Sequence, residues 1–406
     1  MPRFLPFAGQ RYQEDLAPIA RVIAPPYDVV DDIERTALAA RSPYNAIHVE
    51  LPIEDPEGGR SRYEHAADLF ASWQADGALL FDDVAAFYIY RMRFLDEHGV
   101  AHSSTGAIGA LEIDASGAGL VLPHEQTTPK PKGDRLDLLR ATGRNTSPIW
   151  GLSLAAGLSK VCADATTDLQ PIRASDDDGI IHELYVVSDP DVLEEIERLV
   201  ASTPVVIADG HHRYETATFY RAEQRSTTAD APGDYDLVMA LVVELTPDEL
   251  FVQAIHRLVS GVPDDFDLVG AFRPFFDVIP GPDDAGELGL NLVEMEALGL
   301  VTGSGNFYLQ PLGVVYERAE ADLDSSRLDV ALAALPAHEL AYQHGTLLAA
   351  NAVTSGEAQA AILLRPATVA QIAETAHSGK RMPPKTTFFY PKPRTGMVYR
   401  VVADAS

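Results

Sequence analysis

The chain reads as a mixed α/β protein (α+β) with a two-lobed body, and three observations carry that reading. At 406 residues, 46% of them apolar, it exceeds the usual single core and has ample material to build more than one. Stretches with a two-residue hydrophobic period alternate along it with stretches of helical period. No unit repeats at a fixed spacing, which excludes solenoids and propellers. The chain is taken as one domain over 1–406, with sublobes 1–190 and 191–406.

The elements follow in order. Ala24-Pro25-Pro26-Tyr27-Asp28-Val29-Val30 is a stiff turn, because its prolines fix φ. A helix over 31–40 comes next, then Asn45-Ala46-Ile47-His48-Val49-Glu50-Leu51, whose alternation predicts a strand with His48 and Glu50 on one face. Residues 60–76 form an amphipathic helix, and 85–94 and 105–113 form two strands joined by a turn at 97–99. The loop 123–134 leads into a helix at 135–144, strands at 147–154 and 180–187, and a helix at 190–201. Beyond the strand 205–208, residues 213–223 are helical, 225–234 are a polar linker and 235–244 are a buried strand. Residues 263–287, rich in Asp, Pro and Gly, carry the weakest signal for regular structure. Strands at 306–309 and 314–317, helices at 325–334 and 339–346, and a strand at 359–364 make the second lobe. Four prolines in 382–393 exclude a helix there.

Composition narrows the function. A net charge of -29 sets most of the surface against a phosphate backbone, so nucleic acid is not an expected partner. Only six lysines occur, and five fall in two short segments, Lys130 and Lys132 in one and Lys380, Lys385 and Lys392 in the other. A local basic pocket in an acidic body focuses small anions. No apolar run approaches the ~20 residues that span a bilayer, and the opening Met1-Pro2-Arg3-Phe4-Leu5-Pro6 lacks the apolar stretch of a signal peptide, so the expectation is a cytoplasmic protein away from membranes. Cys162 stands alone, which rules out an internal disulfide and predicts a buried, inert thiol.

Three constellations carry chemistry. In Val205-Val206-Ile207-Ala208-Asp209-Gly210-His211-His212-Arg213, an apolar strand runs through a glycine turn into a helix whose first N–H groups and dipole favour an anion. Asp209 at its edge fits a proton acceptor or a metal ligand, here a loosely held magnesium, while a plain helix cap is the rival reading. The second constellation, His124-Glu125-Gln126-Thr127-Thr128-Pro129-Lys130-Pro131-Lys132-Gly133-Asp134-Arg135, resembles a phosphate clamp, with Asn145-Thr146-Ser147-Pro148 adding donors after the next helix. The third is the basic segment Lys380-Arg381-Met382-Pro383-Pro384-Lys385, followed by Phe388, Phe389 and Tyr390, whose aromatics predict inward packing. No P-loop, dinucleotide-binding, H-E-x-x-H or kinase signature is present.

Pro25-Pro26-Tyr27-Asp28, Asn45 with Ile47-His48-Val49-Glu50-Leu51-Pro52, the run from His124, Asp209 to Arg213, and Arg381-Met382-Pro383-Pro384-Lys385-Thr386-Thr387 together resemble the family catalogued as domain of unknown function 1015, over nearly the whole chain. Some of its members are described as free serine kinases that use pyrophosphate. The Asp209–Arg213 core also resembles the Asp-Gly-His-x-Arg signature of the ParB/sulfiredoxin-like fold, which includes nucleotide-dependent free serine kinases. These resemblances imply a phosphate-binding core of that type and a phosphotransferase interconverting L-serine and O-phospho-L-serine. The implied small-molecule partners are serine, phosphoserine and pyrophosphate or a nucleotide, and the implied ion is magnesium, with Asp209 as its ligand. Asp209 would orient or deprotonate the serine hydroxyl, His211, His212 and Arg213 would hold the phosphoryl group, and Glu125 completes the catalytic set. Gly210, Lys130, Lys132, Asp134, Arg135, Asn145, His48, Glu50, Arg381 and Lys385 would bind phosphate or substrate. The alternative is a regulator with the same core that binds a phosphometabolite without turnover.

Overall fold

The computed structural model describes residues 1–54, 58–96, 99–123, 133–263, 265–378, 382–383 and 385–402. It is a mixed α/β structure in two compact units. Of the described residues, the first gathers those within 1–123, 133–251 and 391–402, and the second those within 252–390. The division at 190/191 drawn from the sequence lies within the first unit, one residue inside the helix Pro190–Val200. The strand Val205–Asp209 joins Ile149–Ser153 in the first unit's sheet, and that pairing carries the Asp209 motif with it.

That sheet runs, strand by strand, through Val121–Pro123, Val205–Asp209, Ile149–Ser153, Leu237–Glu244, Ala101–Glu112, Phe87–Leu95, Ile181–Val187 and Ile172–Ser175, with Phe4–Leu5 paired to Ala101–Glu112. Val205–Asp209 is parallel to Val121–Pro123 and antiparallel to Ile149–Ser153. Val205 and Ile207 enter a core with Phe87, Ile149, Val242, Ile196 and Ala217, so the helices Pro190–Val200 and His211–Thr227 are held against the sheet by apolar burial. Cys162 lies in this core, and burial pushes its thiol up to about 12, which leaves it inert at neutral pH.

The second unit is built on an antiparallel sheet ordered Phe276–Pro280, Gly305–Pro311, Leu298–Thr302, Ala360–Leu363, Phe251–Ser260 and Glu339–His344, with Thr387–Tyr390 also paired to Phe251–Ser260. Its core gathers Phe272, Phe276, Leu300, Leu309, Leu328 and Ile362. Phe389 is buried, as the aromatics of that basic segment led one to expect.

Several local expectations are corrected. Residues 47–50 form the short helix Ile47–Glu50 rather than a strand, because the Asn45 side chain accepts the Ile47 N–H at 2.9 Å and starts a helical turn. The strand expected at 314–317 lies in the helix Gly313–Arg318. The helix expected at 339–346 is the strand Glu339–His344, where pairing with Phe251–Ser260 overrides local propensity. The polar stretch 225–234 begins as helix, since His211–Thr227 extends into it and Arg225 is held by Asp236 at 2.6 Å. The weak region 263–287 holds the helix Leu268–Phe272, capped by Asp267, and the strand Phe276–Pro280. The ten-residue strand Phe251–Ser260 had not been assigned.

Candidate anion site

The site is built on the end of Val205–Asp209. The pairing with Ile149–Ser153 slips between Ile207 and Asp209, so that Asp209 stands opposite Trp150, and such an irregularity re-aims the side chain at a strand end. Gly210 then takes φ +87°, a left-handed conformation, and starts the helix His211–Thr227, whose first turn has no side-chain cap. A Cβ at Gly210 would lie 3.1 Å from the Arg213 guanidinium, so any side chain there would press on it, besides straining the backbone.

Arg213 folds back over this glycine. Its Nη2 donates to Asp209 Oδ2 at 2.6 Å, and its Nη1 donates to Ser147 Oγ at 3.3 Å and to the Pro148 carbonyl. The other oxygen of Asp209 accepts from Lys392 Nζ at 2.7 Å, and the same ammonium reaches Asp28 Oδ2 at 2.8 Å. Burial works against ionisation of Asp209, but Lys392 and Arg213 outweigh it and hold the carboxyl below the usual range. Burial likewise opposes the charge on Arg213 and on Lys392, and Asp209 above all restores it.

Beside this ion set, Glu50 ends the helix Ile47–Glu50 with no exposure to solvent. Its Oε1 accepts from Ser147 Oγ at 3.2 Å and from the Tyr27 N–H at 3.4 Å. Its Oε2 has no hydrogen-bond partner among the described residues. Arg135 donates to the Glu50 carbonyl at 2.6 Å, stacks 4.4 Å over the Tyr27 ring and pairs with Asp134, which Arg62 and Tyr63 also contact. Burial would raise the Asp134 carboxyl, but Arg135 prevails and lowers it. Tyr27, Glu50, Arg135, Asn145, Ser147 and Arg213 all line one pocket of about 40 Å3, room for a few waters or one small oxyanion. Two guanidinium groups and a buried carboxylate whose Oε2 has no hydrogen-bond partner among the described residues set cationic donors beside a proton acceptor in this pocket.

A family model described as protein of unknown function (DUF1015) matches residues 4–331. The chain belongs to this family. No curated protein matches it significantly. Solved structures similar to it include a free serine kinase in complex with AMP, at 16% identity over 72% of this chain and 90% of that chain with a TM-score of 0.38. A conserved hypothetical protein from Pyrococcus furiosus shares 13% identity over 72% and 93% of the two chains, with a TM-score of 0.37. SbnI with C-terminal truncation from Staphylococcus aureus shares 10% identity over 71% and 85%, with a TM-score of 0.37. Likeness at that level says nothing of this chain's chemistry.

In this DUF1015 chain, Asp209, Gly210, Arg213, Asp134, Arg135, Asn145 and Glu50 come together around the pocket or its ion set. Asn145 is turned to the backbone, accepting the Met239 N–H at 2.9 Å. His211 and His212 open the helix, and His212 Nδ1 lies 3.7 Å from Glu215. His48 is not brought to the pocket. Its Nε2 sits 3.1 Å from the Ser42 carbonyl, so the shared face with Glu50 disappears along with the expected strand. Glu125, Lys130, Lys132 and Arg381 lie outside the described residues, and Lys385 belongs to the second unit, at φ +59°.

Sequence reasoning missed Lys392, Asp28 and Tyr27 as site residues, and offered Ser147 only among the donors after the helix. Lys392 carried a signal, being one of so few lysines, and Tyr27 and Asp28 stand in the Pro-Pro-Tyr-Asp motif. A resident magnesium does not fit Asp209 as placed, because both of its oxygens are taken by cations. Among the described residues, no group of three His, Cys, Asp or Glu is arranged to hold a metal, and no helix is long and apolar enough to cross a membrane.

Proposed function

We propose that the protein is a phosphotransferase interconverting L-serine and O-phospho-L-serine, with pyrophosphate or a nucleotide as the phosphoryl partner. The observation that carries this reading is Glu50, a buried carboxylate whose vacant Oε2 shares a pocket with Arg213 and Arg135. Buried acceptors are normally satisfied, so this oxygen calls for a donor from a ligand, and a substrate hydroxyl supplies one.

In the forward direction the serine Oγ attacks the terminal phosphorus of the donor and its proton passes to Glu50. The bond from that phosphorus to the bridging oxygen breaks, and the departing group, phosphate from pyrophosphate or the shortened nucleotide, keeps the electron pair. Arg213 and Arg135 neutralise charge on the transferring group, which is most of what phosphoryl transfer requires. Glu50 is better placed than Asp209 to take the proton, since Asp209 already holds Arg213 and Lys392. Magnesium, where it takes part, arrives with the donor phosphates, and no step here depends on it.

The regulator reading draws on the same saturation of Asp209, which suits a site that binds phosphate and does nothing further. Purified protein incubated with serine and each of pyrophosphate, ATP and ADP, followed by phosphorus NMR, tests both. Phosphoserine formed with one of them supports the kinase and names the donor. A rise in Tm with pyrophosphate or phosphoserine, but no phosphoserine from any donor, supports the regulator. Duplex DNA should leave the Tm unchanged, because attraction from a local cleft fades over a Debye length of about 8 Å.

A further inference from the structure

Lys392 reaches the site from a segment of peculiar construction. Pro391 and Pro393 flank it, so neither neighbour offers an N–H to tie the backbone down. The lysine side chain is nevertheless only 11% exposed, with its Nζ fixed between Asp28 and Asp209. A flexible four-carbon stem keeps such a position only where the backbone that carries it is held.

Arg394 does the holding. Its side chain is 8% exposed, its Nε donates to Asp176 Oδ2 at 2.8 Å, and its Nη2 reaches Asp176 and Asp178. Asp176 also accepts from Nε2 of the fully buried His182 at 2.9 Å, and His182 Nδ1 accepts from the Tyr90 hydroxyl at 2.7 Å. The backbone N–H of Arg394 donates to that same hydroxyl at 3.2 Å, so side chain and main chain close one ring through Asp176, His182 and Tyr90. The next residue continues the clamp, with Thr395 and Ala24 exchanging backbone hydrogen bonds at 2.8 and 3.1 Å just before the turn that bears Tyr27 and Asp28.

We propose that Arg394 is a positioning residue of the anion site: pinned to Asp176, it sets the strap at 391–395 so that Lys392 supplies the second cation on Asp209. The proposal rests on reading the site as one that binds phosphate. The cation it adds comes from beyond residue 331, where the family match ends.

The test measures Lys392 directly. An amine-reactive reagent is applied to the full-length protein and the modification rate of Lys392 is read by peptide mass spectrometry, with the exposed Lys160 as internal reference. Arg394→Met and Asp176→Asn should each speed modification of Lys392 by about tenfold or more, as the strap opens locally, and weaken pyrophosphate binding in calorimetry. Arg394→Lys, which keeps one ion pair to Asp176, should restore most of the protection. Asp234→Asn, which weakens the ion pair of Arg400 farther along the chain, should leave Lys392 protected, showing that loss of a neighbouring arginine ion pair is not by itself enough. Unchanged Lys392 protection in both Arg394→Met and Asp176→Asn overturns the proposal, as does equal deprotection in Asp234→Asn. Deprotection in a protein whose wild type has no affinity for pyrophosphate leaves Arg394 as the strap's anchor and removes the phosphate reading instead.

Discussion

Arg213 and Asp209, four residues apart across a left-handed glycine, close on each other at 2.6 Å, and the second oxygen of Asp209 is held by Lys392 at 2.7 Å from the far end of the chain. One carboxylate thus organises two cations.

Gly210→Ala forces a side chain into a left-handed conformation and presses a methyl group against the Arg213 guanidinium. The backbone term alone costs about 1–2 kcal/mol. A lower Tm is expected together with weaker pyrophosphate binding, since the guanidinium must move. Thermal unfolding and calorimetry read the two effects separately, and undiminished binding would place the ligand away from Arg213.

Asp209→Asn leaves Arg213 and Lys392 facing a neutral amide, and should destabilise the free protein by about 2–3 kcal/mol. Because the folded-state value of Asp209 lies below its unfolded one, its contribution is complete above pH of about 4 and is lost as pH falls through the lowered value. The Tm gap between wild type and variant is therefore widest at neutral pH and closes in acid. Pyrophosphate should raise the Tm of the variant more than that of wild type, as two uncompensated cations await it. The opposite ranking would mean that Asp209 itself helps hold the ligand.

Glu50→Gln keeps an oxygen for Ser147 and for the Tyr27 N–H but cannot take a proton. Turnover of serine should fall by about 10²- to 10⁴-fold, while pyrophosphate still raises the Tm. Near-normal turnover would assign the proton to another group.

Glu249 sits in the first unit with its Oε2 accepting the Thr105 N–H at 2.6 Å, and burial pushes its carboxyl up to about 7. A carboxyl raised on folding contributes stability that is fully present below its unfolded value and is lost as pH rises through the folded one. Glu249→Gln should therefore leave the Tm unchanged at pH 4 and raise it at pH 8. A gain of equal size at both pH values would show that the charge is not the cause.

Much of the first unit was legible from local signals. The helix read at 60–76 from its amphipathic pattern runs Arg62–Ala75, and a capping box of Ser61 and Glu64 starts it. Arg213, Asp134 and Arg135 were also within reach, since each stands in a short segment dense in charged and turn-forming residues. Glu50 was named but assigned to a strand, because alternation over seven residues cannot reveal that Asn45 will cap a turn. Lys392 was seen only as part of a basic tail, because nothing near it in the sequence indicates Asp209, 183 positions away.

The sequence by itself determined the turn at Gly210, the start of the helix behind it, the inert cysteine and the contrast between an acidic body and a few clustered cations, all of which follow from backbone sterics, periodicity and composition. Only the tertiary structure decided which charges meet. Pairing of Val205–Asp209 with Ile149–Ser153 brings Ser147 and Pro148 under Arg213, and the strap past Pro391 brings Lys392 onto Asp209. Those contacts are set by sheet register and by buried ion pairs between distant segments, and such pairings are fixed only when the whole core closes.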